Sequence, residues 1–344
     1  MDNEDDLHLV IKNQDKEINL YKKRLSICTS QRQEMQLVME QSRKLLENVL
    51  EEETLNQLKM FRKFVPKEFL QSLNKQSILD IKLGDHVQRE MTILFSDIRG
   101  YSTLSENISA EDIFNFINAF LKRVEPPIHT HNGFVEKFIG DAILALFYTA
   151  EDALDAGIEM QHALRNYNIS RVKRSYSPIK IGIGLHHGLT TFGIVGVDER
   201  MQGTVLSDAV NTSARLESLT KLYDSALILS ESTLLEVWKK DKYKFRYLGK
   251  ARVPGKMEKI KIFENLDAEE EQQGELKYKT KSYFEKGINL FYEQSFAEAS
   301  VEFSRVLKVI PKEKAAELYF KQCAEYMIHG VPQEWDGAIT HSKD

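Results

Sequence analysis

The hydrophobic pattern between residues 88 and 265 specifies an α+β domain of ferredoxin-like type, an antiparallel-rich sheet with helices. Three stretches lead to that expectation. MTILFSDI is a short apolar strand ending in a carboxylate. SAEDIFNFINAFLKRV opens with the capping pair Ser109 and Asp112 and sets Ile113, Phe116, Ile117, Phe120 and Val124 on one helical face. IKIGIGLHHG alternates Ile179, Ile181, Ile183 and Leu185 cleanly with small or polar residues, the period of a strand. Residues 134–147, FVEKFIGDAILALF, add two strands joined at Gly140 and Asp141, and AEDALDAGIEMQHAL adds another helix.

Upstream, residues 1–64 carry Ile11, Ile18, Leu25, Met39 and Leu46 at heptad spacing, with Tyr21, Cys28, Met35 and Val49 in the second seam position. That spacing predicts a parallel coiled coil acting as a signalling helix. Arg32 and Ser42 interrupt the seam, and a single amphipathic helix packed on its own domain is the alternative. Residues 65–87 form a connecting segment in which Pro66 opens a short helix carrying Phe69, Leu70 and Leu73. Residues 266–344 begin as a charged linker and continue as a tetratricopeptide-like helical segment, where Tyr283, Gly287, Ala299, Phe303 and Pro311 fit the repeat spacing. A third helix from Lys314 to Met327 can cap it. One repeat rarely stands alone, so it docks on the preceding domain or on a protein partner, or is a plain helical hairpin.

Composition narrows the functional classes. A chain of 344 residues with 42% apolar content builds two or three structural units. A formal charge of −5, without a basic tail or stripe, speaks against nucleic acid as a partner. Cys28 and Cys323 lack metal-ligand spacing and read as free thiols of a reducing cytoplasm. No apolar run suits a membrane span, and the acidic start MDNEDD is unlike a signal peptide.

The chemistry sits in three motifs. In FSDIRGYSTLSE, Asp97 ends a strand beside exposed backbone, where a carboxylate and the Ile98 carbonyl can hold a hard cation. The turn of FVEKFIGDAILALF presents Asp141, and two carboxylates brought together need a cation such as Mg²⁺ or Mn²⁺ between them. VLSDAVNTSARLE places Asn211 and Arg215 on one side of a helix, offering an amide for a ribose and a rigid donor fork for phosphate.

Together these ordered motifs resemble the class III adenylate and guanylate cyclase catalytic domain, over about residues 88–265. The resemblance implies conversion of ATP into cyclic AMP and pyrophosphate in a homodimer. Asp97, Ile98 and Asp141 would bind two divalent cations per site, Asn211 and Arg215 would stabilise the transition state, and Lys137 with Thr204 would read the base. Metal and transition-state residues would come from different protomers. Adenine offers an acceptor N1 and a donor amine, which suit lysine and a hydroxyl. Guanylate cyclases of the family place glutamate and cysteine at those two positions, so ATP is favoured over GTP.

Two departures from the family stand out. Ser207 replaces a frequent glycine, and it can cap the helix that follows. Pro254 replaces a frequent basic residue, leaving Lys256 for the triphosphate. The competing class is a catalytically silent, dimeric signalling scaffold, but such domains usually lack one of the four residues present here. A diguanylate cyclase would need a GGDEF-type turn, and the turn reads FIGDA.

Overall fold

A computed structural model describes residues 35–40, 42–43, 67–75, 80–106, 109–197, 199–252, 259–333, 335 and 337. The chain divides into two compact units, Met1–Val65 and Pro66–Asp344. In the first, the described residues 35–40 and 42–43 are helical, with Met35 and Met39 exposed. The other seam positions of the expected coiled coil lie outside the described residues, as do Pro66, Pro254 and Lys256.

The second unit opens with helix α1 (Lys67–Ser72) and is organised by strand β1 (His86–Ile98). Strands β2 (Phe134–Ile139), β3 (Ala142–Phe147), β4 (Ile181–Val197), β5 (Arg200–Leu206), β6 (Leu227–Ser230), β7 (Phe245–Arg252) and β8 (Lys259–Asn265) complete an eight-stranded sheet. Its order is β2-β3-β1-β4-β6-β8-β7, with β5 paired to β4. Every pairing is antiparallel except β4 with β6, as the antiparallel-rich α+β expectation required.

Helices α2 (Tyr101–Ser105), α3 (Ala110–Val124), α4 (Pro126–Thr130) and α5 (Ala150–Lys173) follow β1 and β3. The expected capping pair is present: the Asp112 amide donates to Ser109 Oγ at 3.1 Å, and Ser109 Oγ donates to Asp112 Oδ2 at 2.7 Å. Glu111 and Asp112 in the first turn and Lys122 and Arg123 in the last complement the helix dipole. Phe120 of α3 and Leu154 and Met160 of α5 pack with Leu94, Ile98, Ile143, Ile183 and Leu185 of the sheet.

The opposite side holds α6 (Asp208–Tyr223), packed on the small residues of β4. Residues 181–186 are buried throughout, the glycines included. A Cβ on Gly184 would lie 2.2 Å from the Ser213 carbonyl oxygen and 2.3 Å from the Glu217 nitrogen. The small residues of the alternation therefore seat a helix at backbone distance. Ser213 Oγ lies within hydrogen-bonding distance of two strand carbonyls, Ile93 at 3.1 Å and Gly184 at 2.8 Å.

Past the short helix α7 (Glu231–Glu236), α8 (Glu271–Tyr292), α9 (Phe296–Val309) and α10 (Lys314–His329) pack together on β7, β8 and α6. Phe284, Ile288, Phe291, Phe303 and Tyr319 share one core with Leu216, Leu219 and Tyr223 of α6 and Leu248 and Ile262 of the sheet. Within it, Arg246 is fully buried between Glu264 and Glu313, and Lys277 bridges Glu264 at 2.9 Å and Glu269 at 2.8 Å. Gly249, at φ +111°, opens the backbone of β7 to the Tyr319 and Tyr292 hydroxyls. Tyr319 donates to the Leu248 carbonyl at 2.7 Å. Among the described residues, no helix is long and apolar enough to cross a membrane.

Candidate active site

Asp97 lies near the end of β1, and Asp141 follows Gly140 in the β2–β3 turn, where φ is +64°. Because β1 and β3 are neighbours with Ser96 opposite Ile143, the two carboxylates converge. The Ile98 amide donates to Asp97 Oδ1 at 3.0 Å and to Asp141 Oδ2 at 3.3 Å. Burial, reinforced by the neighbouring Asp97, pushes Asp141 up to about 7. Lys221 approaches from α6, its Nζ 3.8 Å from Asp97 Oδ2.

No group of three or more His, Cys, Asp or Glu among the described residues is arranged to hold a metal. Two carboxylates that repel each other still suit Mg²⁺ or Mn²⁺, which take one or two protein carboxylates and fill their remaining positions with water and substrate phosphates. The chemistry of the donor set thus fits a divalent cation bound together with a nucleotide.

Asn211 and Arg215 occupy the first half of α6, the former exposed and the latter half-buried. Ser207 caps this helix, accepting from the Ala209 amide at 3.0 Å and donating to the Leu189 carbonyl at 2.6 Å. At about 1.5 Å of rise per residue, Arg215 and Asn211 lie roughly 9 and 15 Å along the axis from Lys221, the residue beside Asp97. The pair is thus displaced along α6 toward its N-terminus from the residue that approaches Asp97.

Lys137 of β2 and Thr204 of β5 come from non-adjacent strands and meet, Nζ donating to Oγ1 at 3.2 Å. Lys137 also lies 3.2 Å from Glu136 Oε1.

Three neighbours of the site escaped the sequence reading. Arg99 ties the end of β1 to the end of α6, donating to Asp224 at 2.7 Å and to the Thr220 and Ser225 carbonyls. Glu217 is 3% exposed, its Oε1 has no hydrogen-bond partner among the described residues, and burial together with Asp97 pushes it up to about 7. Glu136 is the third. Ser213, Glu217 and Thr220 share a helical face that looks polar in sequence. Only its match to Gly182 and Gly184 on β4 reveals that the face is buried.

Residues 85–265 match the family described as the adenylate and guanylate cyclase catalytic domain. The chain is 33% identical over 270 residues to the terminal-differentiation specific adenylate cyclase of Dictyostelium discoideum, covering 76% of this chain and 13% of that protein. It is 39% identical over 214 residues to an adenylate cyclase of Anabaena cylindrica, covering 60% of this chain and 43% of that one. The chain thus spans less than half the length of either relative. The solved structure of a bacterial light-regulated adenylyl cyclase shares the fold, with a TM-score of 0.56 at 24% identity over 71% of this chain and 69% of that one.

Proposed function

As the chain belongs to the adenylate and guanylate cyclase catalytic domain family, we propose that it converts ATP into 3′,5′-cyclic AMP and pyrophosphate at sites shared between two protomers. The observation that carries this reading is the convergence of Asp97 and Asp141 on the Ile98 amide, with Asp141 pushed up to about 7. Relatives from Dictyostelium discoideum and Anabaena cylindrica named as adenylate cyclases support it.

Asp97, Asp141 and the Ile98 carbonyl would hold two divalent cations, Mg²⁺ or Mn²⁺, which supply acidification of the ribose 3′ hydroxyl and neutralisation of the triphosphate. Arg215 faces the bridging oxygen on which charge builds as the 3′ oxygen attacks the α phosphorus and pyrophosphate leaves. Asn211 orients the ribose, and Lys256 contacts the triphosphate. Lys137 donates to adenine N1 while Thr204 accepts from the exocyclic amine. The displacement of Arg215 and Asn211 along α6 from Lys221, the residue beside Asp97, supports a site completed by a second copy, whose α6 supplies the transition-state pair. The C-terminal helices act from their seat on α6 and β7, as part of the catalytic unit.

The test is incubation of the protein with ATP or GTP and Mn²⁺ or Mg²⁺, beside Asp97→Ala, with cyclic nucleotide and pyrophosphate quantified. Cyclic AMP from the wild type alone supports the reading. Cyclic GMP as the main product overturns the base assignment. No product at any protein concentration favours the silent scaffold.

A further inference from the structure

Strand β2 carries an irregularity at the base-reading pair. Val135 pairs with Ala145 and Lys137 with Leu144, so Glu136 is the extra residue of a β-bulge. In an unbroken strand, residues 136 and 137 would point to opposite faces. The bulge instead brings them together: Glu136 Oε1 lies 3.2 Å from Lys137 Nζ, and the Glu136 side chain is only 3% exposed. The same carboxylate lies against the backbone amide of Val205, the residue after Thr204. Its Oε2 is buried without a hydrogen-bond partner among the described residues. A buried carboxylate with an orphan oxygen is costly, which points to a role outside stability.

We infer that Glu136 is a positioning residue for base selectivity, holding the Lys137 ammonium at a fixed place beside the Thr204 hydroxyl. The inference rests on the proposal that Lys137 and Thr204 meet the base. A lysine ammonium has three donors. Thr204 takes one and the Glu136 carboxylate holds the charge as an ion pair, leaving a donor for the purine edge. Adenine presents an acceptor at N1 and a donor amine beside it, whereas guanine presents a donor at N1 and an acceptor at O6. A lysine free to swing on its four-carbon stem can follow that acceptor from N1 to O6. Pinned by Glu136, it meets N1 only, and the pair stays in the order adenine requires. Glu136 does not touch the reacting atoms, so its effect falls on KM and on the ATP to GTP preference.

The experiment compares steady-state kinetics on ATP and GTP for wild type, Glu136→Gln, Lys137→Ala and the double variant, with thermal melts to verify folding. Glu136→Gln is expected to raise KM for ATP about tenfold with kcat within about twofold, and to narrow the ATP to GTP ratio of kcat/KM about tenfold. Adding it to Lys137→Ala is expected to change nothing more. Glu136→Asp keeps the charge at a shorter reach, gives an intermediate ratio, and serves as the readout where Glu136→Gln fails to fold. If Lys137→Ala loses the preference while both Glu136 variants keep it, the inference is overturned and the base-reading proposal stands. If Lys137→Ala itself keeps the preference, both fall. A Glu136→Gln effect that adds fully to Lys137→Ala also overturns the inference, because Glu136 then acts elsewhere.

Discussion

Asp97 and Asp141 share one backbone donor, the Ile98 amide, at 3.0 and 3.3 Å. Two carboxylates on one N–H are held too close to ionise together without help, and Asp141 is the one pushed up to about 7, chiefly by burial and then by Asp97. In metal-free protein, a carboxyl raised from its ordinary 3.8 favours the fold below pH 3.8 and gives up that contribution as pH rises through about 7. Asp141→Asn should therefore raise the melting temperature at pH 8 in chelator and flatten its fall between pH 4 and 8. The same variant should lose at least about 100-fold in turnover. A lower melting temperature at pH 8 would count against mutual repulsion.

Glu217 titrates in the same direction for a related reason, burial first and the Asp97 charge second. Its contribution is complete below its ordinary value of 4.5 and is lost toward about 7. Glu217→Gln should leave stability at pH 4 close to wild type and raise it at pH 8. Chemical denaturation at the two pH values reads both effects, and equal shifts at both would show that the carboxyl is not the cause.

The proposed sharing of sites makes a sharp prediction about mixtures. Asp141→Ala and Arg215→Ala dimers should each be inactive, but mixing and re-equilibrating them should restore about a quarter of wild-type activity, since half the dimers are mixed and each keeps one intact site of two. Failure to recover activity in dimers shown to exchange would place both residues in one chain's site.

Gly184 measures how closely α6 must sit on β4. A Cβ there meets backbone atoms at 2.2 and 2.3 Å, which no rotamer change can relieve. Gly184→Ala should cost about 1–3 kcal/mol or more and move Asn211 and Arg215 with their helix. Urea unfolding checks the first part and kcat the second.

The C-terminal helices are expected to behave as part of the fold. Arg246 is fully buried against Glu264 and Glu313, so Arg246→Met leaves Glu313 without its cation and Glu264 with Lys277 alone, and should cost about 3–5 kcal/mol. Replacing Arg246 and Glu313 together should recover part of the loss. A single variant as stable as wild type would show that the helices dock without this cluster.

The motifs were legible because each is local: a carboxylate ending an apolar run, another in a Gly-Asp turn, an Asn and Arg four residues apart on a helix. The capping pair Ser109 and Asp112, the Ser207 cap and the α+β class follow likewise from neighbours in the chain. What stayed hidden depends on non-local contact. In sequence Gly182 and Gly184 are only the small residues of an alternating strand, and α6 laid across them explains their size and the burial of Glu217.

Sequence by itself determined which residues could do the chemistry, since side-chain type and local spacing fix donors, acceptors and charge. The tertiary structure alone decided which of them meet. Strand register set Asp97 beside Asp141, a single bulge turned Glu136 toward Lys137, and α6 brought Lys221 to Asp97. Those outcomes depend on pairings between segments far apart in the chain, and a one-residue change of register would turn each side chain to the other face of the sheet.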